Sequence, residues 1–329
     1  MKKGEKMKEY IVGIDIGGTN IKIGLLKNNR EIINYFSFQT ESERGVEYIL
    51  KNISLKISEI IGSAKANGNV EGIGVGIPGI VDIKKGIVKF APNLRWHNLN
   101  FSDRLAELTN LPVKIDNDAN VIAIGEALHG AAKEYKHIVV ITLGTGIGAG
   151  IIINGKLYTG ANGMAGELGH VKIETENGKY CVCGQFGCLN AYVSAIALVN
   201  ETKTRLHEDT KTILWDIIDN NRAKLEAKHI FDACKEGDKF SLSILDNYVK
   251  YLCAGLSIVI NFFNPEIIVI GGGMIGAKDI LFDNIKDRLK QYAFEDALKK
   301  LKIIPSELGD FAGILGASAL IYEGRERHV

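Results

Sequence analysis

Short apolar runs that end in glycine alternate along this chain with stretches whose apolar residues recur at helical spacing. The first run, EYIVGIDIGGTNIKIGLL, predicts a strand, a tight turn at Gly17-Gly18-Thr19 and a second, alternating strand. A third strand is expected around Ile33 to Phe38, then a helix from about Glu47 to Ile61. Gly72 to Ile77 reads as a buried strand closed by the turn Pro78-Gly79. Val113 to Ile115 is another, with Asp116-Asn117-Asp118 at its C-terminal end and a helix over Ala119 to His129.

The pattern then restarts. HIVVITLGTGIGAGIIING (His137 to Gly155) predicts a strand, a glycine turn over Gly144 to Gly150 and a second strand, the layout of the opening segment again. This indicates a duplicated architecture. Farther on, Tyr251 to Phe263 is helical, Asn264-Pro265 stops it, and the buried strand Ile267 to Ile270 ends at Gly271-Gly272-Gly273. A last helix, roughly Ala312 to Tyr322, opens with small residues that permit close packing. Strands alternating with helices predict an α/β protein. It is not a doubly wound dinucleotide fold, whose first glycine turn leads directly into a helix.

At 329 residues the chain is long enough for two cores. Forty basic residues against 39 acidic ones argue against a nucleic-acid surface or a polybasic membrane patch. The basic N-terminal MKKGEKMKEY leads into an apolar run that soon meets Asp15, too short for a signal-peptide core. No run reaches the roughly 18 uninterrupted apolar residues of a membrane helix. The longest candidate, Leu256 to Ile270, is broken by Asn261, Asn264 and Pro265. The expectation is a soluble, cytoplasmic protein in which Cys234 and Cys253 are core residues.

The other three cysteines carry the sharpest signal. GHVKIETENGKYCVCGQFGC places His170, Cys181, Cys183 and Cys188 in one short stretch. One imidazole and three thiols form the ligand set of a closed structural zinc site. Gly184 and Gly187 flank the turn that would fold around the ion. A disulfide is the alternative, but three thiols cannot all pair with one another.

Glycine turns after buried strands let backbone N–H groups approach phosphate oxygens. The three turns here, at Gly17-Gly18-Thr19, Gly144-Thr145-Gly146 and Gly271-Gly272-Gly273, favour a bound nucleotide when taken together with Asp15. Asp15 is placed either to hold hydrated Mg²⁺ beside the phosphates or to bond the turn backbone. Asp118 is the candidate base for phosphoryl transfer to an alcohol, with Asn117 as a neutral partner. The same residues also suit an Asx turn or helix N-cap, and the choice stays open at this level. Asp116 competes with Asp118 for the role of base. Glu167 and His170, three residues apart in AGELGH, could share a face. Glu167 would then accept bonds from substrate hydroxyls, and His170 would hold zinc through one ring nitrogen while presenting the other to substrate.

With these pieces together the chain resembles the ROK family of sugar kinases and repressors, within the hexokinase–actin superfamily. The resemblance runs over nearly the whole chain. It rests on DIGGTN (Asp15 to Asn20), GIPGIVD (Gly76 to Asp82), APNLRW (Ala91 to Trp96), NDAN (Asn117 to Asn120), TLGTGIGAG (Thr142 to Gly150), AGELGH and CVCGQFGC. It implies a two-lobed, actin-like fold with RNase-H-like sheets. Residues 1–117 plus 313–329 would form one lobe, and 118–312, with the zinc loop 170–188, the other. ATP and sugar would lie between them.

By the same resemblance Asp118 is the base. Asp15, Gly17, Gly18, Thr19, Asn20, Gly144, Thr145 and Gly146 hold Mg-ATP phosphates, Gly271 to Gly273 lie near adenosine, and zinc sits on His170 and the three cysteines. Sugar contacts would come from Gly79, Asn117, Asp118, Glu167 and His170. The PNLRW segment tilts the sugar toward glucose, phosphorylated on its 6-hydroxyl, and a homodimer is implied. The family usually has Glu where this chain has Asn190, which leaves N-acetylmannosamine, N-acetylglucosamine or fructose open as substrates. A repressor would carry an N-terminal helix-turn-helix, for which few residues precede the first strand. A sugar-sensing regulator without catalysis is the remaining alternative.

Overall fold

The computed structural model describes residues 10–28, 31–64, 66, 70–274 and 278–322. Most of the basic N-terminal segment therefore lies outside the described residues. In chain order the strands are β1 (Tyr10–Ile16), β2 (Asn20–Lys27), β3 (Glu31–Gln39), β4 (Val70–Ile77), β5 (Ile80–Asp82), β6 (Ile87–Ala91), β7 (Trp96–Asn100), β8 (Val113–Asn117), β9 (Ile138–Leu143), β10 (Ile147–Ile153), β11 (Lys156–Leu157), β12 (Ile267–Gly271) and β13 (Lys302–Pro305). The helices are α1 (Val46–Ser63), α2 (Phe101–Thr109), α3 (Asp118–His129), α4 (Asn190–Val193), α5 (Ala195–Arg205), α6 (Leu214–Ile217), α7 (Ala227–Lys235), α8 (Lys239–Phe263), α9 (Lys278–Leu289), α10 (Glu295–Leu298) and α11 (Ala312–Tyr322).

Two five-stranded sheets share one plan, with strand orders β3-β2-β1-β4-β8 and β11-β10-β9-β12-β13. In the first, β1 pairs antiparallel with β2 and parallel with β4, which pairs parallel with β8. In the second, β12 runs parallel to both β9 and β13. The expected duplication is thus present as two sheets of like order. A third sheet, β5-β6-β7, was not foreseen, because its strands carry too few alternating apolar residues.

The chain divides into two compact units, one within residues 1–136, 150–165 and 307–329, the other within 137–149 and 166–306. This differs from the expected boundary at 117/118, because α3 packs against α11 within the first unit. A Cβ on Gly125 would lie 2.3 Å from the Ala312 carbonyl oxygen, and one on Gly316 would lie 1.6 Å from that of Val121. Backbone meets backbone there, and α3 cannot be assigned elsewhere. α11 also lies on the first sheet, where Cβ atoms at Gly13 and Gly74 would fall 2.2 and 1.7 Å from its carbonyl oxygens. Ala312 through Ile321 are all buried. Each buried Ile or Leu contributes roughly 1.5–3 kcal/mol.

The second glycine turn is shorter than expected. β10 begins at Ile147, so Gly148 and Gly150 are strand residues, and Gly150 lies against Ala119 and Ala123 of α3. The helix expected over Tyr251 to Phe263 starts earlier, at Lys239, where Asp238 caps it by accepting from the Ser241 N–H. α8 is long and apolar enough to cross a membrane by length and composition, and 56% of its most apolar window is buried inside the protein. Its apolar positions, Leu252, Leu256, Val259 and Ile260 among them, serve the core of the second unit. Cys234 on α7 and Cys253 on α8 are buried, as expected of core residues. Burial pushes both thiols up to about 12.

Candidate active site and metal centre

In the first unit, Asp15 stands near the end of β1, just before a tight turn. The Gly17 N–H donates to the Asn20 carbonyl at 2.8 Å, which closes the turn. Buried Thr40 staples it from β3's end, its hydroxyl donating to Gly17 O at 2.7 Å and its N–H to Thr19 O at 2.8 Å. Gly18, Thr19 and Asn20 are exposed. A nucleotide phosphate could therefore approach the Gly18 and Thr19 amides without a Cβ in the way at Gly18.

At the end of β8 three neighbouring residues divide the work. Asp116 is buried and accepts from the Asn117 N–H at 2.7 Å and from Asn120 Nδ2 at 2.8 Å. Asn117 is the N-cap of α3: its Oδ1 accepts from the Ala119 and Asn120 N–H groups, and its Nδ2 donates to Gly79 O at 3.1 Å. The capping role that the residues left open thus falls to Asn117. Asp118, the first helical residue, accepts from the Ala119 N–H at 2.9 Å. The Gly79 loop is held close to β6, where a Cβ at 79 would meet Phe90 O at 2.2 Å.

Asp15 and Asp118 are close enough to repel. Burial, reinforced by Asp118, pushes the Asp15 carboxyl up to about 7, against the opposing pull of Lys22. A carboxylate so poorly compensated fits a site for a divalent cation, which would restore its charged form.

In the second unit two glycine turns stand side by side. A Cβ on Gly272 (φ 96°) would lie 2.3 Å from Leu143 O, the residue before Gly144-Thr145-Gly146. Gly144 N–H donates to Gly146 O at 3.0 Å, and the Ala195 N–H donates to Gly144 O at 2.8 Å. Asn190 braces the same turn: its Oδ1 accepts from the Ile147 N–H at 3.0 Å. What Asn190 has left to offer a ligand is its amino group, a donor.

AGELGH forms a 3-10 turn over Leu168–His170. It places Glu167 Oε2 4.0 Å from His170 Nε2, so the expected shared face is present. Burial raises the Glu167 carboxyl and lowers the His170 imidazole, the latter aided by Lys172. The other ring nitrogen of His170, Nδ1, lies 3.7 Å from Cys181 Sγ, and Cys183 Sγ lies 3.7 Å from Cys188 Sγ. Ligand atoms of all four residues fall within 4.8 Å of one another, so one ion can reach them all. Gly184 and Gly187 adopt positive φ, 86° and 75°, at the turn between the last two cysteines. The donor set and its spacing fit a tetrahedral metal.

Two residues near the first-unit site were not among the expected ones. Asn93 sits beside Gly18, its Cβ 3.5 Å from where a Cβ on Gly18 would be. Lys22 is the cross-strand partner of Asp15. A hairpin register counted outward from the Gly18-Thr19 turn would have found Lys22. Asn93 lies in the APNLRW segment that carried part of the resemblance, where no site role was assigned to it.

The chain belongs to the ROK family, whose sequence pattern matches residues 11–323. It is similar to a glucokinase of Thermotoga maritima, with 37% identity across 96% of this chain and 98% of that protein. A xylose repressor of Caldicellulosiruptor bescii is 32% identical, across 94% of this chain and 77% of the repressor. Among solved structures, a ROK family glucokinase from Streptomyces griseus in complex with glucose and AMPPNP has a TM-score of 0.84 at 32% identity, covering 96% of this chain and 100% of that one. The mixed α/β fold is accordingly the actin-like one of the ROK sugar kinases.

Proposed function

We propose that this chain is an ATP-dependent glucose kinase that transfers the γ-phosphoryl of ATP to the 6-hydroxyl. The observation that carries the reading is the division of labour at the end of β8. Asp116 accepts from Asn117 and Asn120, Asn117 caps α3, and Asp118, the first residue of the helix, stands close enough to Asp15 to raise its carboxyl. The likeness to proteins named glucokinase supports the choice of sugar.

In this reading the Asp118 carboxylate accepts the proton of the 6-hydroxyl as that oxygen bonds to the γ-phosphorus and the bond to ADP breaks. Asp15 would hold hydrated Mg²⁺, which neutralises phosphate charge. Gly17 to Asn20 and Gly144 to Gly146 receive phosphates through backbone N–H groups, and Gly271 to Gly273 lie near adenosine. Glu167 and His170 orient sugar hydroxyls, with Gly79, Asn117 and Asn190 as further contacts. His170, Cys181, Cys183 and Cys188 would hold a zinc ion that fixes the loop and the tautomer of His170. The reading also takes the enzyme to be a cytoplasmic homodimer that binds neither nucleic acid nor membrane.

The test is ADP release in a coupled assay over glucose, mannose, fructose, N-acetylglucosamine and N-acetylmannosamine. Glucose should give the highest kcat/KM. Saturable sugar binding without ADP release from any of them would favour a sugar-sensing regulator instead.

A further inference from the structure

Lys172 has an uncommon pair of partners. Its ammonium donates to the Phe186 carbonyl oxygen and to Cys188 Sγ, the latter at 3.5 Å. Glu174 and Glu176 are near in sequence, yet among the described residues no carboxylate pairs with this lysine. The backbone dictates the choice. Lys172 and Cys188 face each other in an antiparallel bridge, flanked by bonds from the Ile173 N–H to Gly187 O and from the Leu189 N–H to Val171 O, both 2.9 Å. Residues directly opposite on antiparallel strands carry their side chains on one face. The ammonium is therefore delivered to the sulfur of a cysteine only 1% exposed.

We infer that Lys172 is a positioning residue of the metal centre, which bonds the Cys188 thiolate and balances the charge of the loaded site. The inference rests on the zinc reading above. The donor set creates the need. Three thiolates and a neutral imidazole around a divalent ion leave the centre with one surplus negative charge. Cys181 and Cys188 are buried, so water reaches their sulfurs poorly and the protein must meet the surplus. An ammonium at hydrogen-bond distance meets it, and the same charge acts on His170 and Cys183. A charge-assisted bond is roughly twice as strong as a neutral one. Lys172 thereby holds Cys188 in place as a ligand without itself binding the ion.

The competing role is a clip that fastens the loop through the Phe186 carbonyl and contributes nothing to the metal. Three variants of the full chain separate the two: Lys172→Met, Lys172→Gln, which keeps a donor but no charge, and Lys172→Arg, which keeps both. Zinc affinity is measured at fixed pH by competition with a chromophoric chelator, and the thiolate-to-metal absorption is recorded in the cobalt(II)-substituted proteins. Lys172→Met and Lys172→Gln should weaken zinc about tenfold or more, with Lys172→Arg within about threefold of wild type. The cobalt(II) absorption should move to lower energy in Lys172→Met and Lys172→Gln, because a thiolate freed of the ammonium gives up its electrons more readily. Wild-type affinity in Lys172→Gln, or an unmoved cobalt(II) absorption in Lys172→Met, would make Lys172 a clip and overturn the inference. Should Lys172→Met not fold, Lys172→Gln carries both measurements against Lys172→Arg. A wild type that binds no zinc would overturn the zinc reading and this inference with it, whereas bound zinc with equal affinity in all four proteins would overturn the inference alone.

Discussion

The carboxyl carbon of Asp15 lies where a side chain on Gly313 would begin: a Cβ at 313 would stand 2.5 Å from it. Gly313 is the second residue of α11, so the start of this buried helix is shaped to the carboxylate on β1. Gly313→Ala should displace Asp15 by a fraction of an ångström and lower kcat by about a hundredfold, the order expected when a catalytic constellation is misplaced. Alanine is the better helix former, so thermal stability should change little. Kinetics alongside a melting curve check this, and a kcat within twofold of wild type would refute it.

Asp118→Asn should remove about 10²–10⁴-fold of turnover while sugar binding persists, because the amide is isosteric but cannot take the proton. Asn still offers an oxygen to the Ala119 N–H, so the start of α3 should hold. Comparing kcat with sugar affinity measured by intrinsic fluorescence separates chemistry from binding.

The carboxyl of Asp15 titrates near 7 in the fold against an ordinary value of 3.8. Because the folded value lies above the unfolded one, the native state binds more protons between these pH values. Ionised Asp15 therefore costs stability, by nothing at pH below about 4 and fully above about 7. Asp15→Asn should raise Tm in divalent-free buffer at pH 8 and lose that advantage as the pH falls toward 4, while abolishing turnover. Melting curves of both proteins at pH 4.5 and pH 8 decide it, and an equal Tm difference at both would contradict the burial of Asp15 as the cause.

Metal analysis of protein prepared without chelator should find one zinc per chain. Cys188→Ser should lose it and lower Tm by about 5 °C or more, since metal binding and folding are coupled. Active native protein with no zinc and freely alkylated Cys181, Cys183 and Cys188 would count against the site.

Asn190→Asp keeps an acceptor for the Ile147 N–H and exchanges the remaining amino group for a second oxygen. A sugar that offers a hydroxyl gains a charge-assisted bond, so KM for glucose should fall about fivefold with little change in kcat. A sugar that offers an N-acetyl carbonyl should lose its partner, and KM for N-acetylmannosamine should rise. No change for either sugar would make residue 190 a brace of the glycine turn alone.

Hydrophobic periodicity, glycine placement and the close spacing of one histidine and three cysteines were enough to locate β1, β2, the two Asp-bearing strand ends and the four residues that could hold a metal. Each of these depends on local constraints: a tight turn needs glycine, and a metal needs particular donor atoms at short spacing. The pattern could not say which lobe α3 joins, because that depends on glycines of α3 and α11, far apart in sequence, meeting backbone to backbone. Nor could it say which of Asp116, Asn117 and Asp118 caps α3, since their local preferences are nearly alike. Hydrogen-bond partners give that role to Asn117, with Asn120 bonding Asp116. The commitment of the Asn190 oxygen to Ile147 and the delivery of Lys22 to the side of Asp15 were decided the same way. A residue's type determines what it can bond, and only the tertiary fold determines which partner lies within reach.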